Sequence, residues 1–258
     1  MAILEAQRLV KRFYGHAVVD HVSFAVHRGE VVGYLGPNGS GKTTTTRILT
    51  GLLEPTSGVI LFEGREVRLD PLEFRRRLGY VPEEPHLYPF LSGREHLELV
   101  GRLREMPSAS MDRKIDALLD LFGLSDAAEQ SIASYSKGMK QKILVIAALM
   151  HDPDLLIFDE PDSGLDVTAA MVLRHLVANL AARGKAILYT SHILDVVERL
   201  CTRVIVLHEG RVVADDSVSQ LRTTLASGSL EQIFAHLVLR HDPERIARDI
   251  ADVVTVGA

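Results

Sequence analysis

The stretch GPNGSGKTTTT, Gly36 to Thr46, directly follows the apolar run VVGYL and leads into the helix-like RILTGLL. It fits the pattern G-x-x-x-x-G-K-[ST] in the strand-before, helix-after context that the pattern requires. Gly36, Gly39 and Gly41 let the backbone curl so that successive N–H groups point inward, and the following helix adds its positive end, worth roughly +0.5 charge. A polyphosphate is the guest such a loop suits. Lys42 is placed to reach the outer phosphates, Thr43 to ligand Mg²⁺, and Thr44 to support the innermost phosphate; Asn38 and Ser40 complete the loop.

Working outward, LLIF (Leu155 to Phe158) and AILYT (Ala186 to Thr190) are further continuous apolar runs suited to a sheet covered on both faces, whereas VSFAV alternates as a half-buried strand does. These patterns predict an α/β fold: a P-loop NTPase core with a mixed, centrally parallel sheet, an inserted helical subdomain and a small antiparallel N-terminal β part. The stretch from about Glu84 to Asp152 carries almost no strand signal and reads as helices around GREHLELVGRL, MDRKIDALLDLFGL and SKGMKQKILVIAALM. The expected division is a core of residues 1–84 and 153–215, a helical subdomain of 85–152 and a helical tail of 216–258. VIVLHEGRVVA reads as a hairpin turning at Glu209 and Gly210. In the tail, Ser229 and Gln232 form a candidate capping box, and Asp242 with Pro243 a second helix start.

Two further stretches carry chemistry. In LLIFDEP the strand ends in Asp159 and Glu160, which belong at the carboxyl edge of the sheet where ligands bind. There Asp159 suits a Mg²⁺ ion, and Glu160 suits a general base acting on water. In YSKGMKQK, Ser136 is a good N-cap by itself. Gly138 in the first turn costs helix stability unless its missing side chain lets something approach the exposed N–H groups.

Composition narrows the class. The 258 residues, 47% of them hydrophobic, suffice for a buried core, and the net charge of −5 gives no electrostatic case for nucleic acid as main partner. The single cysteine, Cys201, excludes an internal disulfide and fits a reducing compartment. No apolar run approaches the roughly 20 residues of a membrane span, and the start MAILEAQRLVKRF lacks a signal peptide's apolar stretch. No histidines pair at metal-ligand spacing, which leaves Mg²⁺ as the expected metal.

With these motifs in hand, the chain resembles the nucleotide-binding subunit of an ATP-binding cassette (ABC) transporter over about residues 4–214. SKGM with Gln141 is similar to the family's signature motif, SGLD (Ser163 to Asp166) to its D-loop, and His192 in TSH to its switch histidine. The resemblance implies that Tyr14 stacks on adenine, with Phe13 as the alternative, and that His192 holds the γ-phosphate. It also implies that Ser136 and Gly138 serve a nucleotide bound by a second chain, with Asp166 contacting across the interface. A second nucleotide-binding subunit, a separate transmembrane permease, ATP and Mg²⁺ are then the expected partners and cofactors, and the cytoplasmic face of the membrane the expected place. Three departures stand out. Lys137 and Met139 replace the usual second glycine and first glutamine of the signature. Glu83 stands where most members carry a glutamine, leaving open a metal-binding or a solvated loop role. With HLYP and SLEQIF, Glu83 makes the chain look like the branch that partners export permeases. A cytosolic ABC ATPase acting on DNA or ribosomes is the competing class; a switch GTPase lacks its N-K-x-D element.

Overall fold

The computed structural model describes residues 2–224, 229–238, 247–248 and 251–254. In chain order it runs β1 (Ala2–Phe13), β2 (His16–His27), β3 (Val31–Leu35), α1 (Lys42–Leu49), β4 (Ser57–Phe62), β5 (Arg65–Glu66), α2 (Pro71–Arg76), β6 (Leu78–Val81), α3 (Gly93–Leu103), α4 (Ser108–Leu121), α5 (Lys137–Leu149), β7 (Leu155–Asp159), α6 (Val167–Ala182), β8 (Ala186–Thr190), α7 (Leu194–Leu200), β9 (Arg203–His208), β10 (Arg211–Ser217), α8 (Val218–Thr224) and α9 (Leu230–Val238).

The strands form two sheets. One is antiparallel in the order β2-β1-β4-β5; the other runs β10-β9-β3-β8-β7-β6 and is parallel except for the β9–β10 hairpin. Continuous apolar runs became the central strands for the expected reason: every residue of β3, β7 and β8 is buried, as strands covered on both faces must be. In β2, Val22, Phe24 and Val26 face inward while Ser23 faces out. The antiparallel sheet is larger than the sequence suggests. Its two leading strands run twelve residues each, and β4 and β5 join it from beyond the phosphate loop.

The parallel sheet has a hydrophobic cluster on each face. Tyr34, Ile48, Ile157 and Leu188 belong to the side shared with the antiparallel sheet, and Leu144, Phe158, Leu173 and Tyr189 to the other. A third cluster, with Leu97, Ile115, Leu119 and Ile143, lies among α3, α4 and α5. Helix α3 spans the predicted GREHLELVGRL and opens with a reciprocal box between Ser92 and Glu95. Helix α4 starts three residues before the predicted Met111. The hairpin turns at Glu209 and Gly210, both at positive φ (47° and 78°), which matches the twist of its strands. Gln232 N donates to Ser229 Oγ at 3.3 Å, and α9 buries Leu230, Ile233 and Val238 in the cluster that also takes Val196 and Val197 of α7. The expected helix start at Asp242 and Pro243 lies outside the described residues. Among the described residues no helix is long and apolar enough to cross a membrane.

Candidate functional site

The parallel register brings the chemistry to one edge. Tyr34 pairs with Thr190, Asp159 with Thr190, and Val81 with Phe158, so β3, β6, β7 and β8 all release their following segments at the same end. That end opens into a cleft of about 370 Å³ lined by Val18, Asn38, Gly39, Gly41, Lys42, Thr43, Thr44, Glu83, Asp159 and Glu160. Residues as distant in sequence as Val18, Glu83 and Glu160 are gathered there because the parallel strands end at a common edge.

Within the loop the glycines do different work. Gly39 and Gly41 sit at φ 78° and 101°, where side chains are strained, and a Cβ on Gly41 would also lie 2.5 Å from the Val18 carbonyl. Gly36 is required by space instead: a Cβ there would collide with the Leu207 carbonyl and Ser40 Oγ. Helix α1 begins at Lys42 behind Gly41, with no side chain capping it. The amides of Lys42, Thr43 and Thr44 therefore have no carbonyl one turn back and are left for a ligand. Ser40, expected with Asn38 to complete the nucleotide-holding loop, turns its side chain inward. It is buried, its amide donates to the Pro37 carbonyl, and its hydroxyl points inward towards Gly36.

Lys42 Nζ donates to the carbonyls of Gly36 (2.6 Å) and Pro37 (3.2 Å), folding the cation across its own loop. Burial lowers its pKa, and the charges of Glu160, Asp159 and Glu83 act in the opposite sense. Opposite it, Asp159 is almost wholly buried, and hydroxyls satisfy both carboxylate oxygens. Thr190 Oγ1 donates to Oδ1 at 2.7 Å and Thr46 Oγ1 to Oδ2 at 3.0 Å. Thr46 and Thr190 were missed in the sequence. For Thr190 the available signal was a polar residue ending an apolar strand, two positions before His192.

Glu160 holds a left-handed backbone, φ 49°, which costs a non-glycine residue on the order of 1–2 kcal/mol and must be enforced by its surroundings. Its N–H donates to Thr190 Oγ1 at 3.0 Å, and His192 Nδ1 donates to its Oε2 at 2.7 Å. His192 is itself exposed, so its other ring nitrogen is accessible while Glu160 is held in place.

Glu83 lines the same cleft, from the segment after β6. The lining thus carries three carboxylates against one lysine, a poor environment for a polyanion until a dication joins it. Thr43, Asp159 and Glu83 bring side-chain oxygens, the hard donor type that Mg²⁺ takes, to the same lining.

The signature stretch lies apart from this cleft in the same chain. Ser136 caps α5 by accepting from Met139 N at 3.2 Å. Gly138 is needed within the chain itself, because a Cβ there would lie 2.8 Å from the Gly164 carbonyl. Lys137 Nζ donates to Ser163 Oγ at 2.8 Å, and the buried Gln141 donates to the Pro161 carbonyl at 3.1 Å. Asp166 caps α6 through Ala169 N at 2.8 Å. Tyr14 is fully exposed at the β1–β2 turn and Phe13 is 40% exposed with Lys11 over its ring, so neither is a core aromatic.

The family model described as ABC transporter matches residues 19–163. The ABC transporter ATP-binding protein NatA of Bacillus subtilis (strain 168) is 38% identical over 223 residues, 86% of this chain and 91% of that protein. The Nod factor export ATP-binding protein I of Paraburkholderia xenovorans (strain LB400) is 38% identical over 246 residues, 95% of this chain and 79% of that protein. A solved structure described as the ATP-binding subunit of an ABC transporter superposes with a TM-score of 0.86 at 36% identity, covering 91% of this chain and 99% of its own.

Proposed function

This chain belongs to the ABC transporter family as an ATP-binding subunit, and from that premise we propose that it hydrolyses ATP in its cleft and spends the cycle driving a separate permease, in the export direction. The observation that carries the reading is the convergence of Lys42, Asp159 and Glu160 on one cleft at the carboxyl edge of the parallel sheet. Lys42 and the amides that begin α1 hold the phosphates. Thr43 and Asp159, with Glu83, hold Mg²⁺, which when bound offsets phosphate charge. Glu160 takes the proton of the attacking water. His192, donating to Glu160, fixes that carboxylate and offers its outer nitrogen to the γ-phosphate. Tyr14, exposed at a turn, stacks on the adenine.

Hydrolysis in this reading needs two chains. Ser136, Gly138 and Asp166 do not line the chain's own cleft and serve a nucleotide held by a second nucleotide-binding subunit. The division into an ATP-binding core and a helical signature subdomain follows from the same reading. The segment between Glu83 and α3 exposes Tyr88 (61%) and Phe90 (93%), and such unburied aromatics suit a membrane partner. Export rests on the relative named for Nod factor export, and the location at the cytoplasmic face of the membrane on the permease.

Purification of the tagged chain from detergent-solubilised membranes tests the partnership. A co-purifying polytopic membrane protein in stoichiometric amount supports it. Recovery with DNA or ribosomes and no membrane protein overturns it.

A further inference from the structure

Asp162 is an acid that the hydrolytic mechanism leaves unused, yet its side chain is only 8% exposed. It lies two residues beyond Glu160, in the turn that leads to Ser163 and Gly164. Tyr189 Oη, from a wholly buried position in β8, donates to its Oδ2 at 2.5 Å. Arg174 Nε of α6 lies 3.4 Å from Oδ1, in ion-pair range. A buried carboxylate is costly unless it is paired; here Tyr189 supplies the hydrogen bond, to Oδ2, while Oδ1 has the ion-pair approach of Arg174 without a hydrogen bond.

The placement of those partners matters. Adjacent residues of a strand point to opposite faces of the sheet. Thr190 grips Asp159 and the Glu160 N–H on the face that carries α1. Tyr189, in the cluster with Phe158 and Leu173, grips Asp162 on the other. The end of β8 therefore holds the turn after β7 from both sides, two residues before His192. Glu160 sits between the grips in its left-handed conformation. Further bonds tighten the turn: Ser163 N donates to the Glu160 carbonyl and Leu165 N to the Asp162 carbonyl, each at 3.1 Å. Strain of that kind persists only where the surroundings over-determine it. Burial and the neighbouring carboxylate both raise the Tyr189 pKa, so its hydroxyl keeps the proton it donates.

We propose that Asp162 is a positioning residue for Glu160, anchoring the turn to Tyr189 and Arg174 so that the carboxylate stays aligned with His192 and the phosphates. The proposal rests on Glu160 being the base. It concerns turnover and not affinity, because none of the three residues lines the cleft.

Steady-state ATPase kinetics of the full chain with Mg²⁺ test it, using Tyr189→Phe, Asp162→Asn, the double variant and Glu160→Gln. Tyr189→Phe keeps the buried ring and removes only the hydroxyl. Each single change should lower kcat about tenfold, as a misplaced reacting group does, with KM for ATP within twofold. The double variant should be no worse than the weaker single, since both cut one link. Hydrogen exchange gives an independent reading without turnover: amides of 160–165 should exchange faster in both variants while the other strands keep their protection. Wild-type kcat in Tyr189→Phe with unchanged exchange overturns the proposal. So does a loss of kcat accompanied by protein-wide loss of protection, which marks a merely structural pair. Glu160→Gln turning over at the wild-type rate instead overturns the reading of Glu160 on which the proposal stands.

Discussion

The starts of α1 and α5 are both glycine-bearing helix N-termini, and they are built in opposite ways. Helix α1 follows Gly41 with no side-chain cap, forgoing a contact worth on the order of 1 kcal/mol and leaving its first amides bare beside Lys42. Helix α5 is capped by its own Ser136, and Gly138 is occupied by the close approach of Gly164. The first start has no side-chain partner for its amides; the second is capped within the chain. A glycine in a first turn thus does not by itself announce a ligand, while an uncapped start beside a part-buried lysine makes a stronger case. Helix α5 still has no acid in its first turn, so its dipole remains unopposed towards solvent.

Substitutions at the two starts put that contrast to the test. The largest effect belongs to the cleft: Glu160→Gln should keep ATP affinity while lowering kcat by 10²–10⁴-fold, the usual range for a lost base. Light scattering with ATP and Mg²⁺ should then show a doubled mass, because the closed pair outlives its normal span. A monomer under those conditions would detach the α5 start from the nucleotide altogether.

Lys42→Ala should weaken ATP binding about 100-fold, by removing two or more charge-assisted contacts while leaving the buried strands intact. Equilibrium titration with a labelled analogue gives the answer, and affinity within twofold of wild type would contradict the assignment. Gly138→Ala probes the other start. Its methyl must displace the Gly164 carbonyl, so turnover should fall about tenfold while binding to the isolated chain stays within twofold. Weakened binding there would merge the two starts into one site within a single chain.

Glu83→Gln should raise the Mg²⁺ concentration for half-maximal ATPase by about 3- to 10-fold, because one of three cleft carboxylates loses its charge. ATP binding in chelator should hold steady or improve. Superimposable curves in both assays would return Glu83 to a solvated loop acid.

The smallest effect is remote from both starts. Burial pushes the His151 pKa down to about 4 from 6.5, while its Nε2 donates to the Leu78 carbonyl at 3.0 Å. Between those values the unfolded chain binds a proton that the folded chain refuses, so the contribution is full above pH 6.5 and is lost as pH falls towards 4. His151→Gln should flatten the stability profile in that window by at most one proton's slope, about 1.4 kcal/mol per pH unit, in denaturant melts from pH 7 to 4. An unchanged slope would show that His151 takes up its proton equally in the folded and unfolded chains.

The phosphate loop was legible because its chemistry is local: a glycine needed for φ, a lysine and a threonine lie within eight residues on the chain. The central strands were legible because burial on both faces selects a continuous apolar run, as in Val31–Leu35 and in β7 up to Phe158. Asp159 and Glu160 stood out as two charges ending such a strand. What the pattern could not state was which residues hold those acids. Thr46 and Thr190 reach Asp159 across 113 and 31 residues of sequence, and Tyr189 reaches Asp162 across 27. The inward turn of Ser40 was equally hidden, since its amino-acid type suits either face of the loop. So was the use of Gly138 within its own chain. Strands, helices and the loop that offers its amides could be read from the chain alone, because periodicity, glycine and charge act over a few residues. Only the tertiary structure decided which hydroxyl meets which carboxylate and which glycine is filled from within, because strand register and helix packing, not neighbourhood along the chain, set those distances.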